Sequence, residues 1–374
     1  MLLRVAGETK NYDWGSKELV PEYFDLEKAT KPIAEIWFGT HPLGESGIEG
    51  SDQSLRSVIG KQLGFLVKIL SAERSISIQV HPNSAQAKIG FDREQTLGVL
   101  LKDPKRNYKD VSHKPEALVA LSNFHAMCGF RPRVEQLSIF TEFGKTEKDF
   151  ASLANKLTSG ATLETIFQEL ISNQELAKRF LDTVEKSQTD ALAQQARNLV
   201  ESLLAQYPGD TGALVALMLN EVFLKPGEAI YLPAGNIHAY LSGLGVEVMA
   251  ASDNVLRAGL TSKHVAVTEV LTIADFSELN NPKIAPKKLA EGLVEYPVQC
   301  PEFRIYRAEV SGKNLLADLD LPASAMVLCT AGEVAVSTSL DEREVLAKSD
   351  VIFATGAKKL SLAGSGTVFV VLGD

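Results

Sequence analysis

In the stretch SISIQVHPN, Gln79 and His81 stand two residues apart in a strand-like run that stops at Pro82. Successive side chains of a strand alternate between its faces, so these two polar groups share one face. Further along, Gly227, Pro233 and Gly235 have the spacing of a tight turn between two strands, and His238 opens the second of them. The asparagine that often follows such a histidine is absent, and Ser242 stands in its place. Glu116 begins the apolar run EALVAL and offers a carboxylate. If these strand faces look into one interior, Gln79, His81, Glu116 and His238 form a set of oxygen and imidazole donors. Such a set suits zinc or another first-row divalent ion, and an open position marks a catalytic site. Each member alone has an ordinary reading. A glutamate at a strand start is usually solvated, and a histidine after a Gly-Pro turn is as often bonded to backbone. The weight lies in their convergence.

The elements that must position these residues fall into four blocks. From Leu2 to about Arg131 the text reads mostly as β-structure with turns, in runs such as GFLVKIL and SISIQV. From Arg133 to Tyr207 there is no proline, and glycine occurs only at Gly144 and Gly160. This predicts a helical block, with a capping box at Ser172 to Glu175 ahead of Leu176, Phe180, Leu181 and Val184. The segment ALVALMLNEVF, just beyond, reads as one more buried helix or a strand. β-type text resumes at VFLKPGEAIYLPAGNIHAY, followed by a helix expected over about Ser262 to Ile273. The last stretch gives the strands FRIYRAEV, AMVLCT, EVAVSTS, VIFAT and TVFVVLG. A helical unit inserted into a β domain explains this order better than independent modules. The expected division is 1–132 plus 219–290, then 133–218, then 291–374. LAKSDVIFATGAKKLSL also echoes LKPGEAIYLPAGNIHAYL once one residue is deleted, placing Lys359 near the position of His238. A second β unit of the same type, without a metal, and chance similarity between two hairpins explain the echo equally well.

A chain of 374 residues with 45% hydrophobic and 23% charged content has the make-up of a globular protein of two or three domains. The widely spaced Cys128, Cys300 and Cys329 read as reduced thiols, and no apolar run approaches a membrane span. The N-terminal text lacks the apolar stretch of a signal peptide, so the cytoplasm is the default location. A net charge of −9 argues against a nucleic-acid partner, though not against an anionic small molecule held in a locally cationic cleft.

The chain resembles the type I mannose-6-phosphate isomerases (phosphomannose isomerases) of the cupin superfamily. The resemblance is carried by NYDWG (Asn11 to Gly15), AEIWFGTHP (Ala34 to Pro42), SIQVHPN, NYKDVSHKPE (Asn107 to Glu116), GFRP (Gly129 to Pro132), YLPAGNIHAY (Tyr231 to Tyr240) and SDNVLRAGLTSKH (Ser252 to His264). Ser112 and His125-Ala-Met-Cys128 depart from the family's usual residues without touching a ligand position. The resemblance implies a mainly β protein: a cupin-type jelly-roll catalytic barrel, a helical insert, and a degenerate cupin-like β domain at the C-terminus. It implies one Zn²⁺ per chain on Gln79, His81, Glu116 and His238, with Arg257 as an active-site arginine and Lys114 beside the ligand glutamate. Lys68, Tyr240, Glu247 and Asp253 fall at positions in or near the sugar pocket. Trp14 reads most simply as a core anchor, with NYDWG placed where it could border that pocket.

The implied reaction interconverts D-mannose 6-phosphate and D-fructose 6-phosphate through an enediol(ate), moving a proton between C1 and C2. One carboxylate and three neutral ligands leave a divalent ion a formal charge of about +1, suited to an oxyanion. A glutamine adds an oxygen donor without cancelling more of that charge. Glu247, Lys114, Lys68 and a metal-bound water are all candidates for the proton shuttle, the lysines because a buried lysine beside a cation has a lowered pKa. The acid and base for ring opening are left unassigned. His41 reads equally as a pocket or a loop residue, His113 as orienting the Lys114–Glu116 segment, and His125 and His264 as packing or surface. Trp37 reads as a core anchor. The expected partner is a sugar phosphate, with neither nucleic acid nor membrane, and a monomer is the default with an oligomer left open. Two rivals remain at this level: a cupin-type iron oxygenase, usually with two histidines and a carboxylate, and a metal-binding barrel that holds a sugar phosphate without turning it over. Gln79 and Arg257 count against both.

Overall fold

The computed structural model describes residues 1–312 and 316–373. It is mainly β with a helical insert, built from two large antiparallel sheets. In the first, the strand His238–Ala250 is the organiser. Its second half lies between Phe65–Ala72 and Glu116–Ala120. Its first residues pair instead with Phe124–Phe130 and with Gln79 of the short strand Ile78–Val80. The change of wall coincides with an irregularity. Register against Phe124–Phe130 slips between Tyr240 and Ser242, and Gly243 follows at φ 122°, where a Cβ would meet the Asn123 carbonyl at 2.7 Å. One extra residue flips the parity of a strand. Tyr240 before the bulge and Glu247 and Met249 after it therefore all line the same pocket.

Alternation on the neighbouring strand divides the remaining labour. Leu66, Lys68 and Leu70 face the pocket, whereas Phe65, Val67 and Ile69 pack into a core shared with Phe303, Ile305, Met326, Phe353 and Phe369 of the C-terminal sheet. Each such buried side chain contributes about 1.5–3 kcal/mol relative to exposure, so the two sheets are sealed by a large apolar interface. The N-terminal strand Leu2–Ala6 crosses over to pair with Val351–Thr355 of the C-terminal sheet. We propose the three-part division given above for the domains, with Leu2–Ala6 lent to the C-terminal unit.

The insert forms five helices from Arg133–Phe143 to Ala191–Gln206. Phe140, Phe143, Phe150 and Phe180 stack edge and face at its centre. Its capping differs from expectation: Ser172 ends one helix, and Asn173 caps the next by accepting from the Leu176 amide. ALVALMLNEVF resolves into both options, a helical turn through Met218 and then the strand Leu219–Leu224. Three other readings are corrected. The N-terminal β text is interrupted by the helix Ser84–Thr96, capped by a reciprocal Asn83–Gln86 pair. The helix expected from Ser262 begins at Val267. AMVLCT and EVAVSTS are one bulged strand, Ser324–Thr338, and TVFVVLG ends a strand that starts at Lys359.

The internal echo has a backbone counterpart. Gly227 (φ 85°), Gly235 (φ 83°) and the strand start at His238 are matched by Ser349 (φ 80°), Gly356 (φ 77°) and the strand start at Lys359. The same turn is made twice.

Candidate active site and metal centre

Three buried atoms converge beneath the floor of the principal pocket. Glu116 Oε2 lies 3.4 Å from His81 Nε2 and 3.3 Å from His238 Nε2. All three candidate ligand atoms sit within 4.8 Å of one another. None of the three has a hydrogen-bond partner, which is costly for buried polar groups unless something else satisfies them. The opposite ring edges explain the orientation. His81 Nδ1 donates to the Asn254 carbonyl at 2.6 Å, and His238 Nδ1 donates to the Asn236 carbonyl at 3.0 Å. Each Nε2 is thereby left as a bare lone pair aimed at Glu116. Burial first, and then the Lys114 charge, hold His81 down at about 4, so its imidazole is neutral and available to a cation. Burial alone would raise the Glu116 carboxyl, but Lys114, His81 and His238 outweigh it and keep it well below the usual range. Two imidazoles and one carboxylate with unpartnered Nε2 and Oε2 atoms fit a divalent metal.

Gln79 stands directly opposite His238 on one side and Arg257 on the other. Directly opposed residues share a face, so the amide belongs with the cluster. Glu116 is tied on its other oxygen to Lys114 Nζ at 2.8 Å.

Above this floor opens a cavity of about 980 Å³, walled by Gln79, Glu116, Lys114, Lys68, Glu247, Tyr240, Asp253, Trp14 and Arg257 among others. His81 and His238 lie behind the wall, 1% and 0% exposed. The eleven candidate site residues from the sequence, Gln79, His81, Glu116, His238, Arg257, Lys114, Lys68, Tyr240, Glu247, Asp253 and Trp14, thus come together at one place.

The family follows from comparison of the whole chain. The profile of the phosphomannose isomerase type I catalytic domain matches residues 2–133. The mannose-6-phosphate isomerase of Escherichia coli is 30% identical over 97% of this chain and 97% of its own. The human mannose-6-phosphate isomerase is 32% identical over 89% and 86%. The chain belongs to the type I phosphomannose isomerase family. A zinc-bound crystal structure of mannose 6-phosphate isomerase superposes with a TM-score of 0.87 at 28% identity, covering 100% of this chain and 99% of that one.

Within this phosphomannose isomerase fold the pocket is electrostatically divided. Lys68 and Glu247, opposite each other in register, are 2.9 Å apart, and Lys68 also meets Glu35 at 3.2 Å. Burial alone would lower the Lys68 ammonium, but Glu247, Glu35 and Glu116 together hold it raised. The expectation of a neutral lysine therefore fails for Lys68, whose neighbours are carboxylates. Glu247 moves the other way: burial raises its carboxyl, and Lys68 offsets this only in part. Arg257 has no carboxylate partner among the described residues, and burial is the cause of its lowered pKa. Burial and then the Arg257 charge depress Lys263, while Lys109 is lowered by burial first, then by Arg106, with a smaller contribution from Arg257. Arg257, Lys109 and Lys263 line the cavity, making a cationic end, with two of the Lys109 donors given to the Leu101 and Asp103 carbonyls.

Sequence reading missed part of this wall. Trp37, read as a core anchor, lines the pocket and donates its indole N–H to Glu35 at 3.0 Å. His41 is a pocket residue, its Nε2 3.5 Å from Asp253. Lys109 and Lys263 lie inside two of the motifs, NYKD and TSKH, where their lysines gave no separate signal.

Proposed function

We propose that this chain interconverts D-mannose 6-phosphate and D-fructose 6-phosphate with one zinc ion, through an enediol(ate) formed by proton transfer between C1 and C2. The carrying observation is the trio of unpartnered buried lone pairs on His81, Glu116 and His238, with Gln79 beside them on the same face. The zinc in the structural relative named above supports the choice of ion. Bound there, zinc would supply Lewis acidity toward the substrate oxygens.

The remaining work falls to the chain's own groups. Arg257, Lys109 and Lys263 are assigned the end that takes the phosphate, since cations not paired in a salt bridge favour a dianion. Glu247 is assigned the proton transfer. It is a buried, pocket-facing carboxylate with a raised pKa, which brings a general base closer to neutral pH. Lys68 stays protonated and holds Glu247 in place. Lys114 holds Glu116. Trp14, Tyr240 and Asp253 are assigned to the sugar.

We further place the protein in the cytoplasm, because its buried free thiols Cys128, Cys300 and Cys329 suit a reducing compartment. No described helix is long and apolar enough to cross a membrane. The test is a coupled assay for fructose 6-phosphate, starting from mannose 6-phosphate, before and after chelation. Undiminished turnover by fully demetallated protein defeats the zinc reading, and absence of turnover by metal-replete protein defeats the reaction.

A further inference from the structure

Glu302 joins the C-terminal β segment to the residue that precedes Lys114 of the active site. Glu302 Oε1 accepts from His113 Nε2 at 2.6 Å, across 189 residues of sequence, and Glu302 Oε2 accepts from Cys300 Sγ at 2.9 Å. Burial pushes the Cys300 thiol up to about 12, so it remains a donor. Both carboxylate oxygens are thus oriented. The backbone behind Glu302 is equally fixed: it leads into the strand Phe303–Val310, and Phe303 pairs with Gly373, which packs so closely on Phe65 that a Cβ would approach its ring at 2.5 Å.

On the catalytic side, His113 is followed by Lys114, whose ammonium lines the pocket and binds Glu116 at 2.8 Å. The two side chains leave the backbone toward different neighbours, one to the C-terminal unit and one to the metal centre. The flanking backbone is held at both ends: the Ser112 carbonyl accepts from Asn254 Nδ2 at 2.8 Å, and the Pro115 carbonyl accepts from the Ala250 amide at 3.1 Å. The orientation left to be set lies between them, at His113 and Lys114.

We propose that Glu302 is a positioning residue for the isomerisation: by fixing His113 it aims Lys114 at Glu116 and the substrate. The C-terminal β unit then completes the active site rather than merely packing beneath it. The inference rests on the isomerase reading above. Glu302 and His113 are each about a quarter exposed, with side chains 27% and 24% accessible. An ion pair so placed adds little to stability. A partner that orients an active-site group costs about 10–100-fold in activity when removed. Stability and turnover therefore separate the two roles.

The experiment uses the full-length zinc enzyme and four variants: Glu302→Ala, Glu302→Gln, His113→Ala, and the Glu302→Ala/His113→Ala double. The expected result for Glu302→Ala is a fall in kcat of about tenfold, with KM, zinc content and Tm close to wild type. Glu302→Gln, which keeps an acceptor, recovers most of that loss, and the double variant is no worse than His113→Ala alone. A wild-type kcat in Glu302→Ala overturns the proposal. So does a loss expressed in KM, additivity in the double variant, or a loss that tracks zinc release or unfolding. Wild-type enzyme assayed alongside separates the two claims. An inactive wild type defeats the isomerase reading and this inference with it, while an active wild type beside an indifferent Glu302→Ala defeats this inference alone.

Discussion

Lys68 and Glu247 face each other across two antiparallel strands, 2.9 Å apart, with side chains only 7% and 3% accessible. Because Glu35 shares the same ammonium at 3.2 Å, removing the lysine strands two carboxylates in a buried wall. Breaking a buried pair from one side costs about 3–5 kcal/mol. Lys68→Met is expected to lose stability on that scale, and Glu35→Gln distinctly less. Urea denaturation of the three proteins is the check. A Lys68→Met midpoint equal to wild type removes the ion pair from the account of the fold.

The same pair sets the chemistry assigned to Glu247. With a carboxylate base removed and the shape kept, Glu247→Gln should lower kcat by about 10²–10⁴-fold, the usual contribution of a positioned base. Zinc content should not change. Steady-state kinetics on metal-replete protein decides this, and a loss confined to KM would reassign Glu247 to binding.

How much of this was legible beforehand follows from the kind of signal each residue gives. Gln79, His81, Glu116 and His238 were readable because strand alternation and a Gly-Pro turn place polar groups where apolar ones belong. Their meeting point was not derivable from periodicity alone, since it depends on the bulge before Gly243, which turns Glu247 and Tyr240 to one side. The helix Ser84–Thr96 was missed for a physical reason: it buries only Ala87, Gly90 and Glu94, so it has almost no apolar stripe. Asn83 and Gln86 were its one visible mark. Trp37 and His41 were underread because a residue type alone does not distinguish a core wall from a pocket wall. The Glu302–His113 contact joins distant segments, and no local pattern announces it.

The cap of the helix Gln174–Thr183 offers a small test of the same lesson. Asn173 accepts from the Leu176 amide at 3.0 Å, while Ser172 ends the preceding helix. Asn173 also donates to Asp149 at 3.1 Å, so its loss is felt twice. Asn173→Ala should cost about 1 kcal/mol or somewhat more, and Ser172→Ala close to nothing. Thermal melts of both variants measure this, and a reversed order would restore the sequence-based assignment.

His81 gives the metal-free protein a defined pH response. Its folded pKa of about 4 lies below the unfolded value of 6.5, so between these limits the unfolded chain binds more protons. Stability therefore rises with pH across that window. The contribution is fully present above about 6.5 and is lost as pH falls toward 4. A one-proton difference changes stability by about 1.4 kcal/mol for each pH step of one, so the whole window is worth roughly 3 kcal/mol. Urea titrations of demetallated protein at several pH values should show this slope, and His81→Gln should lack it. A slope unchanged in His81→Gln would move its origin elsewhere.

Arg257 and His238 occupy neighbouring rungs of one sheet, on either side of Gln79, yet they should fail differently. His238 offers a lone pair with no other partner, so His238→Ala should lose metal. Without the ion the protein also loses the stability that binding confers, about 2.7 kcal/mol when ligand stands at a hundred times its Kd. Arg257 has no carboxylate partner among the described residues and lines the cavity, where it is proposed to meet the phosphate. Arg257→Ala should therefore keep its metal and its Tm, and lose kcat/KM. Because a buried charged hydrogen bond to a dianion is among the stronger contacts a protein makes, a loss of at least tenfold is expected. Metal analysis, thermal melts and kinetics on the two variants give a two-by-two outcome. If Arg257→Ala released zinc, or kept wild-type kcat/KM, the division between a metal floor and a phosphate end would be wrong.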